Sequence, residues 1–248
     1  MKPIYIVLTN TGTFLNKAIK SVTNAPYNHA SIALDENLEL LYSFGRKQPD
    51  NPFWAGFVKE DFVKGTYSWY PNSTCAILRL YISDREYEKL IRLIQVFEKN
   101  HFNYQYNFIG LLGVPAKYPI EVKASYFCSQ FVSEILKRSG CSLFAKPSSL
   151  VTPDDFRYHN KLEIMYEGKI YDYPALRDQI QDYDPQIYKS FPFRKYMIQQ
   201  IRTEIFHKMK QNERKYFFRD GFVKPKKIYI GQKIQKVKGI MDVFDQIL

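Results

Sequence analysis

Residues 126 to 139 read YFCSQFVSEILKRS. Apolar side chains return at helical spacing through Phe127, Phe131, Val132, Ile135 and Leu136, which predicts an amphipathic helix. Ser125 stands where an N-cap belongs, and Gly140 follows the last periodic residue, where a left-handed stop belongs. With that cap, Cys128 occupies the third helical position. Backbone N–H groups are still unpaired there and the helix dipole presents partial positive charge. Both favour thiolate over thiol, and the thiolate is the nucleophilic form. The same N–H groups could hold a tetrahedral oxyanion. A cysteine on the apolar face of a helix is otherwise a small core residue. A histidine within reach of the sulfur would separate the two readings, and it must come from elsewhere in the chain.

Four histidines are available: His29, His101, His159 and His207. His207 lies in a basic tail, His159 in a polar loop, and His101 at the end of a charged helix. Within YNHASIAL, residues 27–34, His29 is the first residue of a short apolar strand after the turn APYN. A sheet can fix a ring at that position, so elimination leaves His29 as the candidate base.

Working outward, IYIVL at 4–8 reads as a buried strand, and residues 13–22 carry helical spacing that Pro26 ends. Residues 29–34 and LELLYSF at 38–44 form a hairpin about the turn DEN at 35–37. Residues 46–73, rich in Pro, Gly, Asn and aromatics, read as loop with room for one short strand. TCAILRLYI at 74–82 is a further strand. Ser83 and Glu86 make a capping box before a helix with Tyr87, Leu90, Ile91, Ile94 and Phe97 on one stripe, stopping near Asn100. TPDDF at 152–156 reads as loop entering a helical turn. LEIMYEGKIYDY reads as a hairpin turning at Glu167-Gly168.

The composition excludes several classes. Apolar residues make up 45% of the 248, enough for a core, so wholesale disorder is excluded. The chain has no 18-residue apolar window, and its N-terminal apolar run of five is too short for a signal peptide core. Cys75, Cys128 and Cys141 are odd in number and lack metal-ligand spacing, so neither cofactor nor metal is expected, and the setting reads as reducing and cytoplasmic. The charge of +11 is lopsided: from residue 186 onward there are 15 Lys+Arg against 5 Asp+Glu. That asymmetry suggests an anionic partner for the tail. Within it, Met197, Ile201, Ile205 and Met209 fall at four-residue steps, which predicts a mostly helical extension over 186–248 laid on a domain of residues 1–185.

NHASIALD resembles the His-bearing strand of the NlpC-type peptidases, and YFCSQFVSEIL resembles their cysteine helix. His29 precedes Cys128, an order similar to the circularly permuted papain-like branch that includes the YiiX-like enzymes and the lecithin:retinol acyltransferase-like proteins. TPDDF also resembles a segment that follows the cysteine helix in that branch. The resemblance covers roughly residues 3 to 175. It implies an α+β fold in which an antiparallel sheet carrying the histidine packs on the helix carrying the cysteine. It implies Cys128 as nucleophile, His29 as base, and a third polar residue on the strand after the histidine strand. That strand, LELLYSF, departs from the family pattern because it has no His, Asn or Gln. Ser43 or Tyr42 could serve, depending on register, and Glu39 lies nearer the turn.

The chemistry implied is thiolate attack on a carbonyl with a thioester intermediate, on a peptide, amide or acyl-bearing substrate. A cysteine peptidase or amidase is the leading expectation. One rival is a thiol acyltransferase using a lipid-like acyl donor, with NPFWAGF at 51–57 as a possible apolar lining. The other is an inactive protein that binds nucleic acid or an anionic surface through its basic tail.

Overall fold

The computed structural model describes residues 1–10, 25–47, 54–63, 67, 70 and 72–180. The expected helix over 13–22 and the basic extension over 186–248, with its stripe and its charge, lie outside the described residues.

The architecture is α+β. Six strands, β1 (Lys2–Asn10), β2 (His29–Ala33), β3 (Leu41–Arg46), β4 (Ala55–Glu60), β5 (Thr74–Ile82) and β8 (Glu163–Lys169), form one sheet in the order β4-β3-β2-β1-β5-β8. Every neighbouring pair is antiparallel. The expected hairpin is β2 and β3, with Ile32 opposite Tyr42 and Ala33 opposite Leu41. The short strand foreseen in the aromatic loop is β4.

The run IYIVL shows no alternation because β1 is central and covered on both faces. Ile4, Ile6 and Leu8 join a core containing Ala30, Ile32, Phe44, Phe57 and Leu78. Tyr5 and Val7 join a second core with Ala33, Leu41, Phe62, Tyr67 and Ile77. The first face is closed by α1 (Asp84–Lys99) and α3 (Cys128–Ser139). From α1 come Leu90, Ile94 and Phe97, and from α3 come Phe131, Val132, Ile135 and Leu136. The capping box of α1 is present: the Ser83 amide donates to the Glu86 carboxylate at 2.8 Å, and the Glu86 amide donates to Ser83 Oγ at 3.3 Å. Between these helices the chain runs through β6 (Gln105–Tyr106), α2 (Phe108–Gly113) and β7 (Ser125–Tyr126).

Two local expectations are corrected. Residues 162–173 do not make a hairpin. Residues 163–169 form one edge strand paired along β5, from Glu163 opposite Arg79 to Lys169 opposite Thr74. Gly168 serves close approach instead of a turn, because a Cβ there would stand 2.6 Å from Tyr166 Oη. That hydroxyl donates to the Lys169 carbonyl at 2.7 Å. The second correction is the start of α3. Ser125 is not its cap. Ser125 and Tyr126 pair in parallel with Gln105 and Tyr106, and Phe127, extended at φ −98°, precedes the first helical residue, Cys128. The Phe127 amide is taken instead by Gln130 Oε1 at 3.3 Å. The far end is as expected: Gly140 stops α3 at φ +112°, a conformation strained for any side-chain-bearing residue. Thr152 caps α4 (Pro153–Arg157).

Candidate active site

Cys128 opens α3, so its own amide is among the helix N–H groups that have no partner within the helix. The residue is 3% exposed. His29 opens β2 opposite Thr9 of β1, and its side chain is 18% exposed. The structure brings the two together: the His29 ring and the Cys128 side chain lie near enough to shift each other's titration. His29 Nε2 is 2.8 Å from Glu60 Oε1, which leaves Nδ1 uncommitted to that carboxylate. The other histidines are engaged elsewhere or lie outside the described residues. His101 Nδ1 meets the Glu98 carbonyl at 2.8 Å, His159 Nε2 meets the Leu143 carbonyl at 2.9 Å, and His207 is among the residues not described.

The third residue differs from both expectations on β3. Ser43 Oγ is fully buried and donates to the Ala30 carbonyl at 2.7 Å, so it ties β3 to β2 and does not orient the ring. The Tyr42 ring lies on the opposite face, stacked on Phe57 at 6.0 Å. Glu39 is in the turn, with its amide on Asp35 Oδ1 at 3.0 Å. The residue at the His29 ring is Glu60, the last of β4. It arrives from the second strand beyond the histidine strand, not the first. Ser31 Oγ donates to the other oxygen of the same carboxylate, Oε2, at 2.5 Å.

Sequence reasoning also missed Tyr106. Its hydroxyl lies beside Cys128, near both the sulfur and the Cys128 backbone. The position is built by Asn107. The Asn107 amide donates to the Tyr126 carbonyl at 3.0 Å, and its Nδ2 donates to Gln130 Oε1 at 3.3 Å and to the Ile120 carbonyl at 3.1 Å. The segment before α2 is thereby pinned to the first turn of α3. The available signal was slight: an acid closing the strand-like run AGFVKE, and a tyrosine just before an asparagine N-cap.

The electrostatics follow from these contacts. Burial alone would discourage charge on both partners. For His29 that penalty is overturned by the Glu60 carboxylate and the Cys128 sulfur, and its pKa is raised to about 10. For Cys128 burial is outweighed by the His29 hydrogen bond and charge and by N–H groups of Ala30 and Ser129, so its pKa is lowered. Both shifts favour the thiolate–imidazolium form of the pair. The Tyr106 hydroxyl, pushed well up by burial and then by the neighbouring thiolate charge, stays protonated and is a donor. The other thiols go the opposite way. Burial, then Glu167, raises Cys75 to about 12, and burial, then Glu86, raises Cys141. All three cysteines are free.

Such an array can place a thiolate against an acyl carbon, deliver a proton from His29, and receive an oxyanion between the Cys128 amide and the Tyr106 hydroxyl. Among the described residues, no group of three or more His, Cys, Asp or Glu is placed to hold a metal ion, and no helix is long and apolar enough to cross a membrane. Compared with protein-family models and with curated proteins, the sequence matches none of them.

Proposed function

We propose that this protein is a papain-like cysteine hydrolase of the permuted NlpC-type kind, acting on a peptide or other amide through a thioester. One observation carries the reading. A buried helix-start cysteine lies beside a histidine that is itself ion-paired to a carboxylate, three residues drawn from α3, β2 and β4. The sheet that carries His29 packs on the helix that carries Cys128, which supports the same assignment.

In this reading the Cys128 thiolate adds to the substrate carbonyl carbon, and the C=O electron pair moves onto oxygen. That oxyanion is met by the Cys128 N–H and the Tyr106 O–H. The imidazolium of His29 protonates the leaving nitrogen as the C–N bond breaks, and a thioester remains. Neutral His29 then takes a proton from water as the water oxygen attacks the thioester, and collapse expels the thiolate. Glu60 holds the ring and stabilises its charged form through both half-reactions.

The test is labelling with an electrophilic acyl probe at neutral pH. Wild-type protein should be labelled at Cys128 in one fast phase, Cys128→Ala should lose that phase, and His29→Ala should slow it strongly. Cys75 and Cys141 should react slowly in every variant. A fast phase that survives in Cys128→Ala, or no selective labelling of the wild type, would overturn the reading.

A second reading, acyl transfer from a lipid-like donor, is favoured by apolar exposure beyond Tyr106. Ile109 is 54%, Tyr118 68% and Val122 43% exposed. Trp54, from the aromatic loop, is also exposed, whereas Phe57 is buried in the core. Turnover of acyl esters in preference to amides would select this reading.

A further inference from the structure

We propose that Ser31 is a positioning residue that acts on His29 through Glu60, so that the unit behind the thiolate has four members and not three. The proposal rests on the cysteine-hydrolase reading and deepens it.

The geometry carries it. Ser31 lies two residues beyond His29 on β2, so the two side chains leave the same face of the sheet. Glu60 must cross from β4 to reach that face of β2. A carboxylate on a flexible side chain has several ways to meet one ring nitrogen. Here both oxygens are committed to β2, Oε1 to His29 at 2.8 Å and Oε2 to Ser31 at 2.5 Å. The bridge fixes the plane of the carboxylate and, through Nε2, the rotation of the imidazole. Ser31 is fully buried, so its hydroxyl meets the carboxylate away from bulk solvent. The wall behind is also built: Tyr67 and Thr9, both buried, share a hydrogen bond at 2.9 Å. Gly45 sits beside the ring, where a Cβ would be 3.6 Å from His29 Cε1 and 3.4 Å from Glu60 Oε1. A ring that lost its bridge would find only limited room to turn.

The titratable and charged groups around the pair are Cys128 of α3, Glu60 of β4, Tyr106 of β6, Tyr67, and Arg46 at the end of β3. Of these, Glu60 is the one that Ser31 hydrogen-bonds among the described residues.

The experiment compares Ser31→Ala, Ser31→Thr and Ser43→Ala in the full chain. Two readouts are needed: the pH titration of the His29 ring by NMR, and the pH dependence of Cys128 alkylation by iodoacetamide. Ser31→Ala should lower the His29 pKa by about one unit, a tenfold change in protonation equilibrium, and bring the alkaline limb of the Cys128 alkylation profile down by the same amount, with the neutral-pH rate little changed. Ser31→Thr keeps the donor and should restore both. Ser43→Ala removes an equally buried hydroxyl that bonds the Ala30 carbonyl instead. It should cost stability and leave the His29 titration where it is. An unchanged or raised His29 pKa in a folded Ser31→Ala, or the same shift in Ser43→Ala, overturns the proposal. Wild-type protein without a fast thiol would instead overturn the hydrolase reading, while the His29 titration still reports on the Ser31 linkage.

Discussion

Replacing Glu60 by Gln removes one negative charge and keeps a hydrogen-bond acceptor of the same shape at His29. The contact is 2.8 Å long, and the two side chains are 18% and 11% exposed. Opposite charges about 4 Å apart at an effective dielectric near 20 attract by about 4 kcal/mol, roughly three pKa units. Paired groups in proteins shift by about one to three units, and the glutamine keeps the hydrogen bond, so a fall of about two units is expected. The His29 pKa should therefore move from about 10 down toward roughly 8. The thiolate–imidazolium form exists between the pKa of Cys128 and that of His29. Its window should close from the alkaline side, with a smaller upward move of the Cys128 pKa on the acid side. The assay is an NMR titration of the His29 ring, run beside the ultraviolet absorbance of the thiolate. A His29 pKa that stays within about half a unit of wild type in a folded Glu60→Gln protein would refute the assignment of Glu60 as the ring's partner.

Gly45→Ala should leave Cys128 alkylation near the wild-type rate, since its Cβ would meet the site at ordinary contact distance, whereas Gly45→Val should displace the His29 ring and slow alkylation at least tenfold at unchanged pH. Phe44 is fully buried, with its ring 5.1 Å from Phe131, 5.2 Å from Tyr126 and 5.9 Å from Phe57. Phe44→Ala should cost about 3–5 kcal/mol in denaturant unfolding, and a loss under about 1 kcal/mol would show that this cluster does not hold the sheet to its helices. The raised pKa of His29 also sets a stability window. Its charged form stabilises the fold fully below about pH 6.5, and that contribution is lost as pH rises through about 10. Wild-type protein should therefore lose more stability between those limits than His29→Gln, and parallel stability curves would contradict the shift.

Much of the sheet was legible from local chemistry. IYIVL and TCAILRLYI are short apolar runs bounded by turn residues, and they became β1 and β5. The Ser83–Glu86 box and Gly140 marked helix ends because caps act within three or four residues of the groups they satisfy. Cys128 and His29 could be singled out for a similar reason, since a helix start and a strand start are local properties. Other parts depended on pairing. Ser125 looks like a cap until β7 pairs with β6 and draws it into a strand. Glu167-Gly168 looks like a turn until β5 offers that segment an edge. Nothing adjacent in sequence ties Glu60 to His29 or Tyr106 to Cys128, which are 31 and 22 residues apart. Strand order brought Glu60 to the ring in preference to Ser43, whose hydroxyl was nearer along the chain but turned to the Ala30 carbonyl. Residue type and spacing determined which groups could do the chemistry, because propensity, capping and thiol reactivity act over a few residues. Only the tertiary structure decided which groups meet, because contact across a sheet depends on the order and register of strands far apart in sequence.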